Sequence, residues 1–121
     1  MKRQDVIKAL KALLPLCQRC ENRYLQLGSQ NNIPRRNSLY ILSWQRYAQC
    51  AAEIEIKLRS YGGEAEPLAT GETIDPEAEM EIRRRFEETL SAVLPFDVRM
   101  LLQRHVMIFK DIAHQLKTCE A

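Results

Sequence analysis

The most regular alternation of apolar and polar positions lies in the second quarter of the chain. Tyr40, Trp44, Tyr47, Ala51, Ile54, Leu58 and Tyr61 follow one another in steps of four and three, the period that lines residues along one face of an α-helix and forms the seam of a helical bundle. Gly62-Gly63 comes directly after, and glycine accepts the left-handed backbone that closes a helix. A helix is therefore predicted over 38–61, with Asn37 or Ser38 as its cap. Upstream, Ile7, Leu10, Leu14, Cys17, Glu21, Tyr24 and Gly28 share a stripe of a helix predicted over 4–27. Pro15 interrupts that pattern. It removes a backbone donor and crowds the Lys11 carbonyl, so a kink or break is expected there.

Downstream, Asp75-Pro76-Glu77 combines an N-cap, a proline at the first helical position and an acidic first turn, which starts a third helix predicted over 76–93. Its stripe is Glu79, Ile82, Phe86, Leu90 and Val93, and Pro95 ends it. Asp97 is placed to cap a fourth helix over 97–118, with the stripe Val98, Leu101, His105, Ile108, Ile112 and Leu116. No segment has the period of a strand, and no repeat or low-complexity tract is present. The expectation is one all-α domain over residues 1–121, an antiparallel up-down-up-down four-helix bundle.

Charge narrows the function. Lys and Arg number 18 against 16 Asp and Glu, a net +2 with the signs interspersed, which is not the footprint of a nucleic-acid binder. Arg83-Arg84-Arg85 and Arg35-Arg36 read as solvated faces. No apolar run approaches the ~20 residues of a membrane span, and the basic start is not followed by a signal-peptide core. A soluble cytoplasmic protein is expected, without nucleic-acid or membrane partners. Cys17, Cys20, Cys50 and Cys119 are expected as reduced thiols, because Cys17-x-x-Cys20 has no second pair to complete a zinc site.

The run Gln45 to Glu64, through Arg46, Tyr47, Glu53, Ile54, Tyr61, Gly62 and Gly63, resembles the second helix of a family of uncharacterised bacterial ferritin-like four-helix-bundle proteins. In that family an Arg-x-x-Phe-x-x-Glu-Leu helix commonly runs into Leu-Gly-Gly-Glu-Pro. Glu21 with Tyr24, and Glu87-Glu88-Thr89-Leu90, match the other helices more loosely. The resemblance implies a ferritin-like bundle, here shortened between its second and third helices. The chain departs from the family on the last helix, where Ile108 and Ala113 stand near positions that commonly hold Glu and His.

A di-iron bundle needs an inward ring of carboxylates and Glu-x-x-His pairs, and this chain contains no Glu-x-x-His. Asp111 and His114 have a usable spacing but fall on the polar side of the last helix. What remains is Glu21 and His105, each on an apolar stripe and each roughly 10 to 12 Å below the same end of the expected bundle at 1.5 Å per residue. They are expected to share a layer with Trp44 and Phe86 and to hydrogen-bond one another. As a metal site, Glu21 and His105 with Cys17 would hold one weakly bound divalent ion. Glu79 is placed too near the opposite end to join them.

Three functional readings follow. The first is a non-catalytic bundle acting through self-association, most simply a dimer, or through a protein partner. Leu39, Ile41, Leu42 and Ile56 lie outside the seam and are the interface candidates. The second reading is a metal-binding ferritin-like protein, and the third a helical adaptor or chaperone-like module.

Overall fold

The computed structural model describes the backbone of residues 2–30, 34–65 and 76–119 and the side chains of 2–29, 34–65 and 82–118. Among the described residues there are four helices and no strand: α1 (Arg3–Gln30), α2 (Pro34–Ser60), α3 (Pro76–Ser91) and α4 (Phe96–Cys119). The expected Asp75 cap, the inward Glu79 side chain and the Cys119 thiol lie outside the described residues.

The helix ends explain most differences from expectation. α2 starts at Pro34 rather than near Asn37, because a proline in the first turn loses nothing by lacking an N–H. At its other end the Gly63 amide donates to the Leu58 carbonyl and the Gly62 amide to that of Arg59. Gly62 has φ 89°. This is the expected left-handed stop. A Cβ on Gly63 would stand 2.6 Å from Leu58 and 2.9 Å from Ile7, so this turn is also pressed against α1. α4 begins one residue before Asp97, with the Arg99 amide bonded to the Pro95 carbonyl. Asp97 is thus in the first turn and does not cap it.

The break expected at Pro15 is absent: α1 runs unbroken through it. Leu10, Leu13, Leu14 and Cys17 flank the proline and are all buried, at 2 % exposure or less. Burying a large apolar side chain is worth about 1.5–3 kcal/mol, so the three leucines alone outweigh the roughly 3 kcal/mol a helical proline costs. α3, by contrast, ends two residues early. Val93 is then 77 % exposed, and Leu94 turns into the core in its place. The Arg99 guanidinium donates to the Leu90 and Ala92 carbonyls at 2.9 and 2.7 Å, supplying the donors that the end of α3 lacks.

α1 packs on α2, α2 on α4, α4 on α3 and α3 on α1, while α2 and α3 do not touch among the described residues. This corrects the up-down-up-down expectation, in which each helix lies beside the next. The short-loop rule fails at residues 61–75, because at up to about 3.3 Å per residue that stretch is long enough to travel the length of a helix. Contacting positions run in opposite order along α1 and α2, and along α2 and α4. Tyr24 stacks near Tyr40 and Tyr47, Cys17 meets Cys50, and Arg3 reaches the Tyr61 carbonyl. Between α2 and α4, Lys57 and Tyr61 meet Asp97, Glu53 meets His105, and Tyr47 meets Phe109.

Aromatic rings connect all four helices. Tyr24 of α1 stacks on Tyr47 of α2 at 5.7 Å between centroids, Tyr47 on Phe109 of α4 at 4.0 Å, and Phe86 of α3 meets Phe109 edge-on at 6.0 Å. Such pairs add to simple area burial. Around them lie Leu10, Ile54, Leu58, Ile82, Val98 and Leu102, all at 1 % exposure or less. On α4 the buried stripe is Val98, Leu102, His105, Phe109 and Ile112, so Leu102 and Phe109 take the places expected for Leu101 and Ile108.

Candidate functional site: the polar layer between α2 and α4

His105 is the polar side chain that the heptad of α4 carries into the core, at 1 % exposure. A buried imidazole needs a partner. That partner is Glu53, whose Oε2 meets His105 Nε2 and also accepts a 2.6 Å hydrogen bond from Arg104 Nη2. The expected Glu21–His105 bond is not formed. α1 and α4 occupy opposite corners of the bundle, so equal depth does not bring them together. Glu53 belongs to the matched second-helix motif but flanks the aromatic seam, which kept it out of the candidate set. The signal that could have found it is charge spacing. Glu53 and Lys57 lie one turn apart on α2, and on α4 Asp97 and Arg104 follow in the same acidic-then-basic order, which sets opposite charges face to face when two helices run in opposite directions.

The electrostatics of the pair follow from depth. Burial pushes the His105 imidazole below its ordinary 6.5, and the charges of Arg104 and Arg46 add to that push against the opposing pull of Glu53. The ring is therefore neutral at pH 7. Burial acts to raise the Glu53 carboxyl, but the hydrogen bonds and charges of His105 and Arg104 outweigh it and hold the group below its ordinary 4.5. The consistent assignment has Nε2–H donating to the Glu53 carboxylate. Nδ1 is then a bare lone pair, buried with no hydrogen-bond partner among the described residues, which costs less than an orphaned N–H.

About two turns earlier on α4, Asp97 accepts from Tyr61 Oη at 3.0 Å and pairs with Lys57 Nζ at 3.2 Å. Burial works to raise this carboxyl too, and Lys57, Tyr61 and the Val98 amide bring it below its ordinary value. An open groove runs beside this layer, with Lys57, Asp97, Met100, Arg104 and Met107 among its lining residues.

Glu21 and Cys17 form a separate group. Glu21 is half-buried, turned off the core stripe by Cys20 and Tyr24, which are buried on either side. Burial raises its carboxyl and a hydrogen bond with the Trp44 side chain works against that rise. Cys17 is wholly buried, with its Sγ 3.7 Å from Cys50 Sγ. Glu21, Cys17 and His105 thus do not form one ligand set, and among the described residues no three His, Cys, Asp or Glu side chains converge as metal ligands would. Asp111 and His114 are exposed, as their place on the helix implied.

No protein-family model matches the chain, and no curated protein matches it. Among the described residues, no helix is long and apolar enough to cross a membrane.

Proposed function

We propose that this chain is a ferritin-like bundle without catalytic activity that works by associating with a second copy of itself across the outer face of α2. The observation that carries the reading is that face. Ile41 is 41 % and Ile56 67 % exposed, and the exposed positions between them on the same stripe are Gln45, Gln49 and Ala52. Leu39 and Leu42 are half-buried beside it. A stripe with apolar ends and no charge loses little when dehydrated and gains from burying its isoleucines. The isologous contact of a two-fold dimer would pair each stripe with its copy.

The ring of packed helices, with one long connection between α2 and α3, favours the ferritin-like arrangement, which has a single crossover. In this reading every adjacent pair is antiparallel, in keeping with the opposite order of the contacts along α1–α2 and α2–α4. Absence of catalysis is favoured by the commitment of His105, which is 1 % exposed and has Nε2 taken by Glu53. Reduced, buried thiols suit a cytoplasmic setting.

Light scattering at micromolar concentration tests the interface. The parent is expected at the mass of two chains, and Ile41→Glu with Ile56→Glu at the mass of one with unchanged helicity. Met100→Glu with Met107→Glu, on the exposed face of α4, is expected to leave the dimer intact. A parent of one-chain mass would overturn the proposal.

A further inference from the structure

We propose that Cys17 and Cys50 are an oxidisable pair, converted by a small hydroperoxide into a disulfide that joins α1 to α2. The two sulfurs are 3.7 Å apart, on the two helices that pack along most of their length, and both side chains are at 0 % exposure. A disulfide needs the sulfurs to close from this distance to about 2.05 Å. Both residues are thiols in this structure.

Burial selects the oxidant. A disulfide reagent is too large to reach either sulfur in the closed bundle, whereas hydrogen peroxide is close to water in size. In the reaction one thiol, as its thiolate, attacks a peroxide oxygen. The O–O bond breaks, hydroxide leaves, and a sulfenic acid forms. The second sulfur then attacks the sulfenic sulfur, the S–S bond forms, the S–O bond breaks, and a second hydroxide leaves. The two protons given up by the thiols neutralise the two hydroxides. Two thiols and one hydrogen peroxide thus yield one disulfide and two waters. A resolving sulfur already in contact competes well with a second peroxide, which would have to enter the core to carry the first cysteine on to sulfinic acid.

The chemistry is slow by design of the site. The hydrogen bond with Cys50, burial, and the nearby charge of Glu21 push the Cys17 thiol well above its ordinary 9.0, so little thiolate exists at neutral pH. The product ties residue 17 to residue 50 and removes freedom from the unfolded chain. The bundle would therefore gain resistance to unfolding under the oxidising conditions in which unfolded chains are most easily damaged.

Peptide mapping of the parent protein tests the pairing without any variant. The reduced protein is treated with hydrogen peroxide under native conditions, quenched with an alkylating agent in denaturant, and digested without reductant. Cleavage after Lys11, Arg19, Arg46 and Lys57 places Cys17, Cys20 and Cys50 on three separate peptides. The expected product is the Cys17 peptide linked to the Cys50 peptide, in protein lighter by two hydrogens whose melting temperature is raised and returns to the starting value on reduction. Linkage of Cys17 to Cys20, alkylated Cys17 and Cys50 after full peroxide exposure, or linkage that appears only when peroxide is added in denaturant would each overturn the proposal.

Discussion

The two faces of α2 that meet other helices are built from different chemistry. Toward α1 it presents Tyr47 and Cys50, all but closed to water, against Tyr24 and Cys17, while Leu58 and Ile7 both lie against the Gly63 turn. Toward α4 it presents Glu53 and Lys57, each paired with a group on that helix, beside the Tyr47–Phe109 stack, and Tyr61, just past its end, bonds Asp97. The first interface draws its strength mainly from apolar burial, which is itself insensitive to pH, with the Glu21–Trp44 hydrogen bond at its edge. The second draws little net energy from its pairs, since desolvation offsets attraction, but it is satisfied only when Glu53 stands opposite His105 and Lys57 opposite Asp97. One face thus holds α2 in place and the other selects its register.

The largest expected effect is on the apolar face. Leu58 is fully buried and lies against the Gly63 turn, and Leu58→Ala is expected to cost about 2–5 kcal/mol, the range for a large-to-small change in a packed core. Denaturant unfolding measures it. A loss no larger than that of a surface substitution would show that the α1–α2 face is not where stability resides.

Next comes the polar face. Glu53→Ala strips the partner from a wholly buried imidazole and is expected to cost about 1–3 kcal/mol. Replacing both members, as in Glu53→Met with His105→Leu, is expected to recover much of that loss, because it removes the buried polar groups instead of orphaning one. If the double variant were less stable than the single one, the pair would be a net source of stability, and the contrast between the two faces would collapse.

The smallest effect is the pH dependence. His105 has a folded value below the ordinary 6.5, so the unfolded chain binds its proton first and stability falls as pH drops below 6.5. Glu53, held below 4.5, has the same sign and contributes at lower pH. Glu21 is raised above 4.5 and has the opposite sign, its burial penalty being relieved as acid protonates it. Melting temperatures compared at about pH 7.5 and 5.5 isolate the histidine, since its titration lies nearest that window. The parent is expected to lose more than the Glu53→Met, His105→Leu variant over this interval. Equal losses would show that His105 does not titrate with unfolding.

The sequence by itself determined the four helices, the glycine stop after α2, the burial of His105 and the exposure of Asp111 and His114. Each of these is set by local periodicity or by the backbone preferences of Pro and Gly, which act over a few residues. Only the tertiary structure decided which helices are neighbours, and the candidate site depended on that. Glu21 and His105 were legible as polar residues on apolar stripes, but their partners were not. Helical period assigns a residue to a face without saying what the face meets, and it was the packing that set α2 beside α4 and not beside α3. With that choice made, Glu53 became the partner of His105, Trp44 the partner of Glu21, and Cys50 the neighbour of Cys17. The unbroken course of α1 through Pro15 was decided at the same level, because the local cost of a proline is outweighed only by the burial that packing of the whole helix provides.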